Sequence, residues 1–303
     1  MADIKQNIQD TFEKTLKQDG QTITDALTGL FGDPSHQGFG GGAETREQVK
    51  RWDWQGHAFL LSNVRDTYVA LRIVPTDVAD NYGTGGGIDR DTLKATLLQR
   101  VARTASGDVV VTDIPMVDQG PKGYCVPATW ERYLRFLGIP ADMYVLAMAA
   151  GSTSEQGTDL DAMTANVESL VGEYHRKIDT ITGDLDMDMI ARNIDQGLPI
   201  MWSCTIHGPF EKAISARMAD RSKVTDWGTW PAKLAAADDD KEISQEITGA
   251  PSLGGHQRMI IGYNEKTGEI AISDSWSRAF AIRWMTLPEA NAISDGHLYV
   301  ISY

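Results

Sequence analysis

Cysteine is almost absent from this chain. Two such residues among 303 exclude a disulfide framework, so the fold rests on a packed core. Basic residues are scarce too: 28 Lys and Arg face 42 Asp and Glu, for a formal net charge of −14. That balance disfavours non-specific binding to nucleic acid or to an anionic membrane surface. No apolar run reaches the roughly 20 residues that cross a bilayer, and the opening MADIKQN lacks the apolar stretch of a secretory signal. A soluble protein without a membrane span is expected, either cytoplasmic or exported with its signal removed. Oligomeric state stays open. What the chain does have is apolar mass: 42% hydrophobic residues, with 8 Trp, 9 Tyr and 7 Phe, enough for a globular core.

Two strings carry chemistry. The first is DQGPKGYCVPATWERYL, residues 118–134, and the second is GGHQRMIIGYNEKTGEIAISDSW, residues 254–276. In the first, Gly123 permits a tight turn, and Pro127 suits the first turn of a helix running through ATWERYLRFLG. Cys125 therefore opens a helix, where unpaired backbone N–H groups and the positive end of the macrodipole favour thiolate. In the second string, HQRMIIGYN and EIAISDSW read as two strands joined by the turn NEKTGE. Such a hairpin brings His256 and Asp274 to the same end of adjacent strands, so Asp274 can hold the ring and set its tautomer. Gln119, six positions before Cys125, is placed to stabilise an oxyanion together with the backbone N–H of Cys125. Trp276 can shield the His256–Asp274 hydrogen bond from water.

Gln119, Cys125, His256, Asp274 and Trp276, in this order and with His256 and Asp274 about 130 and 150 residues beyond Cys125, resemble the papain-like superfamily of cysteine peptidases. Asp274-Ser275-Trp276 stands where the papain branch carries Asn-Ser-Trp. Asp at the first position is closer to the bacterial Cys-His-Asp branch typified by leader peptidases of double-glycine peptides. The resemblance implies an α+β, two-lobed fold, with a helical lobe that carries the nucleophile facing an antiparallel β lobe. It also implies hydrolysis of peptide bonds through a thioester: Cys125 as nucleophile, His256 as general base and acid, Asp274 orienting and Gln119 in the oxyanion hole. Trp276 and Gly123 support the site. A peptide or protein is the implied substrate, with no cofactor and no metal. Two positions depart from the pattern: Val126 follows the nucleophile and Ser277 follows the Trp, both where glycine is usual.

Other features give way to plainer readings. Cys204, in the apolar run PIMWSCTI, is a buried small hydrophobe. His36, His57, His175 and His297 are structural or surface residues. His207 follows Cys204 by three, yet no second ligand pair completes a zinc site. GDLDMDM, with Asp184, Asp186 and Asp188, lacks the turn glycine and distal Glu of a calcium loop and reads as the acidic start of a helix. GFGGGAET and YGTGGGID lack the Lys-Ser/Thr of a phosphate loop and read as connectors. Asp238-Asp239-Asp240-Lys241 reads as a solvated face.

Along the chain, residues 1–31 read as helical with a break at Asp19-Gly20, and FGDPSHQGFGGGAE as a loop. HAFLLSN and TYVALRIVP read as strands after the WDW segment, LKATLLQRVART as a helix and VVVTDIPMV as a strand. Helices are expected at 125–138, 141–150, 158–175 and 184–197. Residues 1–108 are thus an N-terminal accessory α/β region or a pro-segment, and 109–303 the catalytic domain. A helical insertion at 208–253, bearing Trp227 and Trp230, is either a lid beside the cleft or a peripheral helical pair. Two other functions use the same residues: a transglutaminase-like or deamidating acyl transfer on glutamine side chains, and a catalytically silent papain-like binding module.

Overall fold

The computed structural model describes residues 2–40, 46–64, 67–83, 88–121, 123–152, 157–237 and 252–303. Gly41 and Gly42, the glycine run 85–87, and Asp238-Asp239-Asp240-Lys241 lie outside the described residues. The chain divides into two compact units, Met1–Gly87 and Ile88–Tyr303. The boundary expected at residue 108 falls inside the second unit.

In the first unit, helix α1 (Ala2–Phe31) precedes β1 (Ser35–Phe39), β2 (Glu47–Trp54), β3 (His57–Val64) and β4 (Tyr68–Pro75), then the short α2 (Thr76–Asp80). The strands form one antiparallel sheet in chain order. Leu27 of α1 packs with Trp52 and Leu61, whereas Ala79 of α2 joins Phe39, Val49, Ala58 and Leu60. Two expectations are corrected here. The helix runs through Asp19-Gly20 without a break: a Cβ at Gly20 would lie 2.3 Å from Asn63 Nδ2, so this glycine serves close packing against β3. The loop expected at 31–44 contains β1, whose SHQGF sequence is too polar to announce a strand but pairs with β2 from Ser35 to Phe39.

The second unit begins with α3 (Arg90–Gln99), β5 (Val101–Arg103) and β6 (Val109–Val111), then α4 (Cys125–Phe136), α5 (Met143–Ala149), α6 (Leu160–Glu173), β7 (Lys177–Thr182) and α7 (Met187–Ile194). It continues with β8 (Ile200–Ile206), α8 (Gly208–Arg221), α9 (Trp230–Ala237), β9 (Gly254–Asn264), β10 (Glu269–Ser273), β11 (Arg283–Thr286), α10 (Leu287–Ile293) and β12 (Ser294–Ser302). The antiparallel sheet has the order β11-β10-β9-β8-β12-β7, and β6, itself paired with β5, joins β9. This pairing explains why residues 88–108 belong to the second unit: Leu93 and Leu97 of α3 are buried in its core. The helix expected to continue to Thr104 ends at Gln99, and its valine becomes the start of β5.

Helices α4, α5 and α6 pack successively, and α4 also packs on β9. The fold is therefore α+β, a helical cluster set against an antiparallel sheet. Trp130, Tyr133 and Leu134 of α4 are fully buried with Trp202 and Ile260 of the sheet. At about 1.5–3 kcal/mol for each large buried side chain, this contact fixes the start of α4 relative to β9.

The described part of the insertion packs into the domain. Trp230 is buried and donates from Nε1 to Glu269 Oε2 at 3.0 Å. Arg221, at the end of α8, bonds to Asp108 at 2.7 Å and to Glu269 at 3.2 Å. Its guanidinium lies 3.8 Å from the Trp284 ring centroid and 4.9 Å from that of Trp227.

Candidate active site

Gly123 has φ +73°, a left-handed turn that glycine adopts without strain. The chain then enters α4 with Cys125 as its first residue. First-turn N–H groups have no acceptor within their helix, and Pro127 removes one of them at no cost. The Cys125 side chain is nearly buried and lines the same cleft as the His256 ring. Burial resists ionisation of the thiol. The hydrogen bond to His256, the charge of that ring and the backbone amides of Gln257 and Val126 outweigh it, so the thiol lies below its ordinary range.

His256 sits near the start of β9. Its Nε2 bonds to Asp274 Oδ1 at 2.9 Å, which leaves Nδ1 for the thiol. Burial opposes the imidazolium, but the hydrogen bonds to Asp274 and Cys125 prevail and raise its pKa. Asp274 follows β10 directly and is completely buried. Desolvation opposes its charge, yet Arg258 and His256 hold its carboxyl well below the usual carboxylate range. The indole of Trp276 stacks on the imidazole, with centroids 4.7 Å apart and planes inclined by 27°.

Gln119 lies on the loop before α4, tied to the segment after β10 by two bonds. Its backbone N–H donates to Ser275 O at 2.8 Å, and its side-chain Oε1 accepts from Ser275 Oγ at 2.8 Å. With the carbonyl oxygen so held, the Nε2 donor is the free end of the amide. Gln119, Gly123, Cys125, Val126, His256 and Trp276 all line one cleft of about 500 Å³. Its other walls come from the segment before α6, from β8, and from Asp295 near the start of β12. Five of the six site residues expected from the sequence line this cleft, and the sixth, Asp274, is buried behind His256.

The departures from the papain-like pattern have local reasons. Val126 is largely buried in α4 while lining the cleft. Ser277 has φ 167°, extended backbone that any residue adopts, and its hydroxyl caps the following turn by accepting from Ala279 N. Cys204 is the cross-strand partner of His256, but it is wholly buried and burial pushes its thiol up to about 12.

Sequence reasoning missed four residues around the site. Ser275 holds Gln119. Arg258 and Arg283 donate to Asp274 at 2.7 and 2.6 Å, and Glu211 of α8 accepts from both arginines. One signal was available for Arg258: two positions beyond His256 on a strand, it shares that residue's face.

The arrangement can form a thiolate–imidazolium pair beside a cleft, with an amide donor at hand. The model of the Peptidase_C39-like family matches residues 111–298, which includes every one of these groups. No curated protein matches the chain. Among solved structures, xylellain, a cysteine protease from Xylella fastidiosa, aligns over 68% of this chain and 88% of its own, with 10% identity and a TM-score of 0.35. The family match covers more than half of the sequence, and the chain therefore belongs to the Peptidase_C39-like family.

Proposed function

We propose that this protein hydrolyses peptide bonds through a thioester formed on Cys125. The observation that carries the reading is that Cys125 and His256 line one cleft, with the imidazole held from behind by Asp274 at 2.9 Å. Cys125, as thiolate, attacks the carbonyl carbon of the scissile bond. The charge that develops on the carbonyl oxygen is met by the Nε2 of Gln119 and the backbone N–H of Cys125. His256 then gives its proton to the departing amine. In the second half it takes a proton from water, which attacks the thioester and frees the acid. Asp274 holds the ring in place throughout.

The first unit has its own buried apolar clusters, which supports reading it as a permanent accessory domain rather than as a pro-segment. For the chemistry, a peptide library is incubated with the wild type, with Cys125→Ala and with Cys204→Ala. Cleavage is expected to vanish only for Cys125→Ala. Activity that survives in Cys125→Ala refutes the assignment.

A further inference from the structure

Asp274 does not meet His256 alone. Its Oδ1 accepts from His256 and from Arg258 Nε, and its Oδ2 from an Arg283 terminal nitrogen at 2.6 Å. The same two guanidiniums reach Glu211, Arg283 at 2.8 Å. All of these partners are buried or nearly so: the side chains of Arg258 and Asp274 are 0% exposed, that of Arg283 4% and that of Glu211 13%. Two carboxylates and two guanidiniums make a closed, formally neutral ring. Trp276 lies against it, with its ring centroid 5.3 Å from Arg258 and 5.4 Å from Arg283, while its face stacks on the imidazole.

We propose that Arg258, Arg283 and Glu211 are positioning residues that balance the charge of Asp274, so that it orients His256 through a hydrogen bond while withholding much of its negative field from the imidazolium. The inference rests on the peptidase reading above. A bare buried carboxylate holds an imidazolium proton tightly, because charge–charge attraction is strong where water is excluded. That proton must leave for the amine in the first half-reaction, and the ring must be neutral to activate water in the second. Sharing the carboxylate between two arginines weakens its hold without loosening the ring. Glu211 completes the device: without it the arginines would place net positive charge beside His256.

The groups facing this pair from each packed element are few. Helix α4 contributes Cys125 and Arg132, the latter lying near Asp274 with its guanidinium lowered to about 10 by burial. Strand β8 contributes Cys204, whose thiol stays neutral. Arg258 comes from β9, Arg283 from β11 and Glu211 from α8. Asp295, near the start of β12, acts on Cys204 at longer range.

The test is the pH profile of kcat/KM on a cleaved peptide, together with the rate of Cys125 alkylation by iodoacetamide across pH. The alkaline limb reports loss of the imidazolium proton. Arg283→Met uncovers Asp274, and the limb is expected to rise by about one pH unit; Glu211→Gln leaves the ring net positive, and the limb is expected to fall by a similar ~1 unit. Arg283→Lys keeps the charge and is expected to restore the wild-type limb. A purely structural role would lower the amplitude and leave every limb in place. Should Arg283→Met fail to fold, the near-isosteric Glu211→Gln still decides by its downward shift. Limbs that stay fixed, or shift alike in both variants, overturn the inference. A wild type that cleaves no peptide and shows no reactive thiolate below pH 7 overturns the peptidase reading instead.

Discussion

Ser275→Ala separates an orienting role from a catalytic one. The hydroxyl is fully buried and makes a 2.8 Å bond to Gln119 Oε1, while Gln119 is half-buried at the mouth of the cleft. If Nε2 of Gln119 donates to the oxyanion, Gln119→Ala should remove about 2.7–4 kcal/mol of transition-state stabilisation, a loss of roughly 100- to 1000-fold in kcat. Ser275→Ala removes only the hydrogen bond that fixes the amide. A neutral bond of this kind is worth about 1 kcal/mol, so kcat should fall about fivefold with KM nearly unchanged. Because the serine acts through the glutamine, the double variant should be no slower than Gln119→Ala alone. The assay is steady-state cleavage of one peptide by all four proteins, with iodoacetamide alkylation of Cys125 as a control. Alkylation forms no oxyanion and should be the same in each. Losses that add in the double variant, or a fall in alkylation, would refute the reasoning.

Three further outcomes follow from the same geometry. Arg221→Met leaves Asp108 and Glu269 without their shared cation, at 2.7 and 3.2 Å in the intact protein. Breaking such a buried pair costs about 3–5 kcal/mol, so the urea midpoint should drop sharply, and an unchanged midpoint would contradict the network. A chain begun at residue 88 should retain a cooperative thermal transition. One begun at residue 109 loses Leu93 and Leu97, each worth about 1.5–3 kcal/mol, and should unfold at a clearly lower temperature; equal stability of the two would contradict the role given to α3. Asp295 is the one side-chain carboxylate among the described residues that line the cleft. Asp295→Asn should therefore reduce kcat/KM about two- to fivefold for peptides with Lys or Arg near the scissile bond, as expected for an exposed ion pair. Equal effects on neutral peptides would show that it does not read charge.

The elements of the candidate site were legible because each carries a strong local signature. A glycine turn, a reactive residue type and a proline before an apolar helical stripe place Cys125 at the start of α4, and the apolar, β-rich run HQRMIIGYN makes β9. Short or polar strands were not legible. SHQGF and KIDTIT gain their partners from long-range pairing, β1 with β2 and β7 with β12, and the pattern of side chains alone does not announce it. Gly20 illustrates the converse, since a residue that usually interrupts helices is tolerated where a neighbouring side chain occupies the space of its missing Cβ. The arginine ring around Asp274 was hidden for a different reason. Glu211, Arg258 and Arg283 are scattered charges, and in a linear sequence scattered charges read as solvent-exposed. Only the order β11-β10-β9 brings Arg283, Asp274 and Arg258 side by side. Only the packing of α8 against β11 then supplies the second carboxylate. The reactive residues therefore follow from local pattern, whereas the electrostatic setting that tunes them follows from topology. The insertion's first helix is accordingly tied to the candidate site through Glu211, which reaches Asp274 by way of Arg258 and Arg283 behind the cleft.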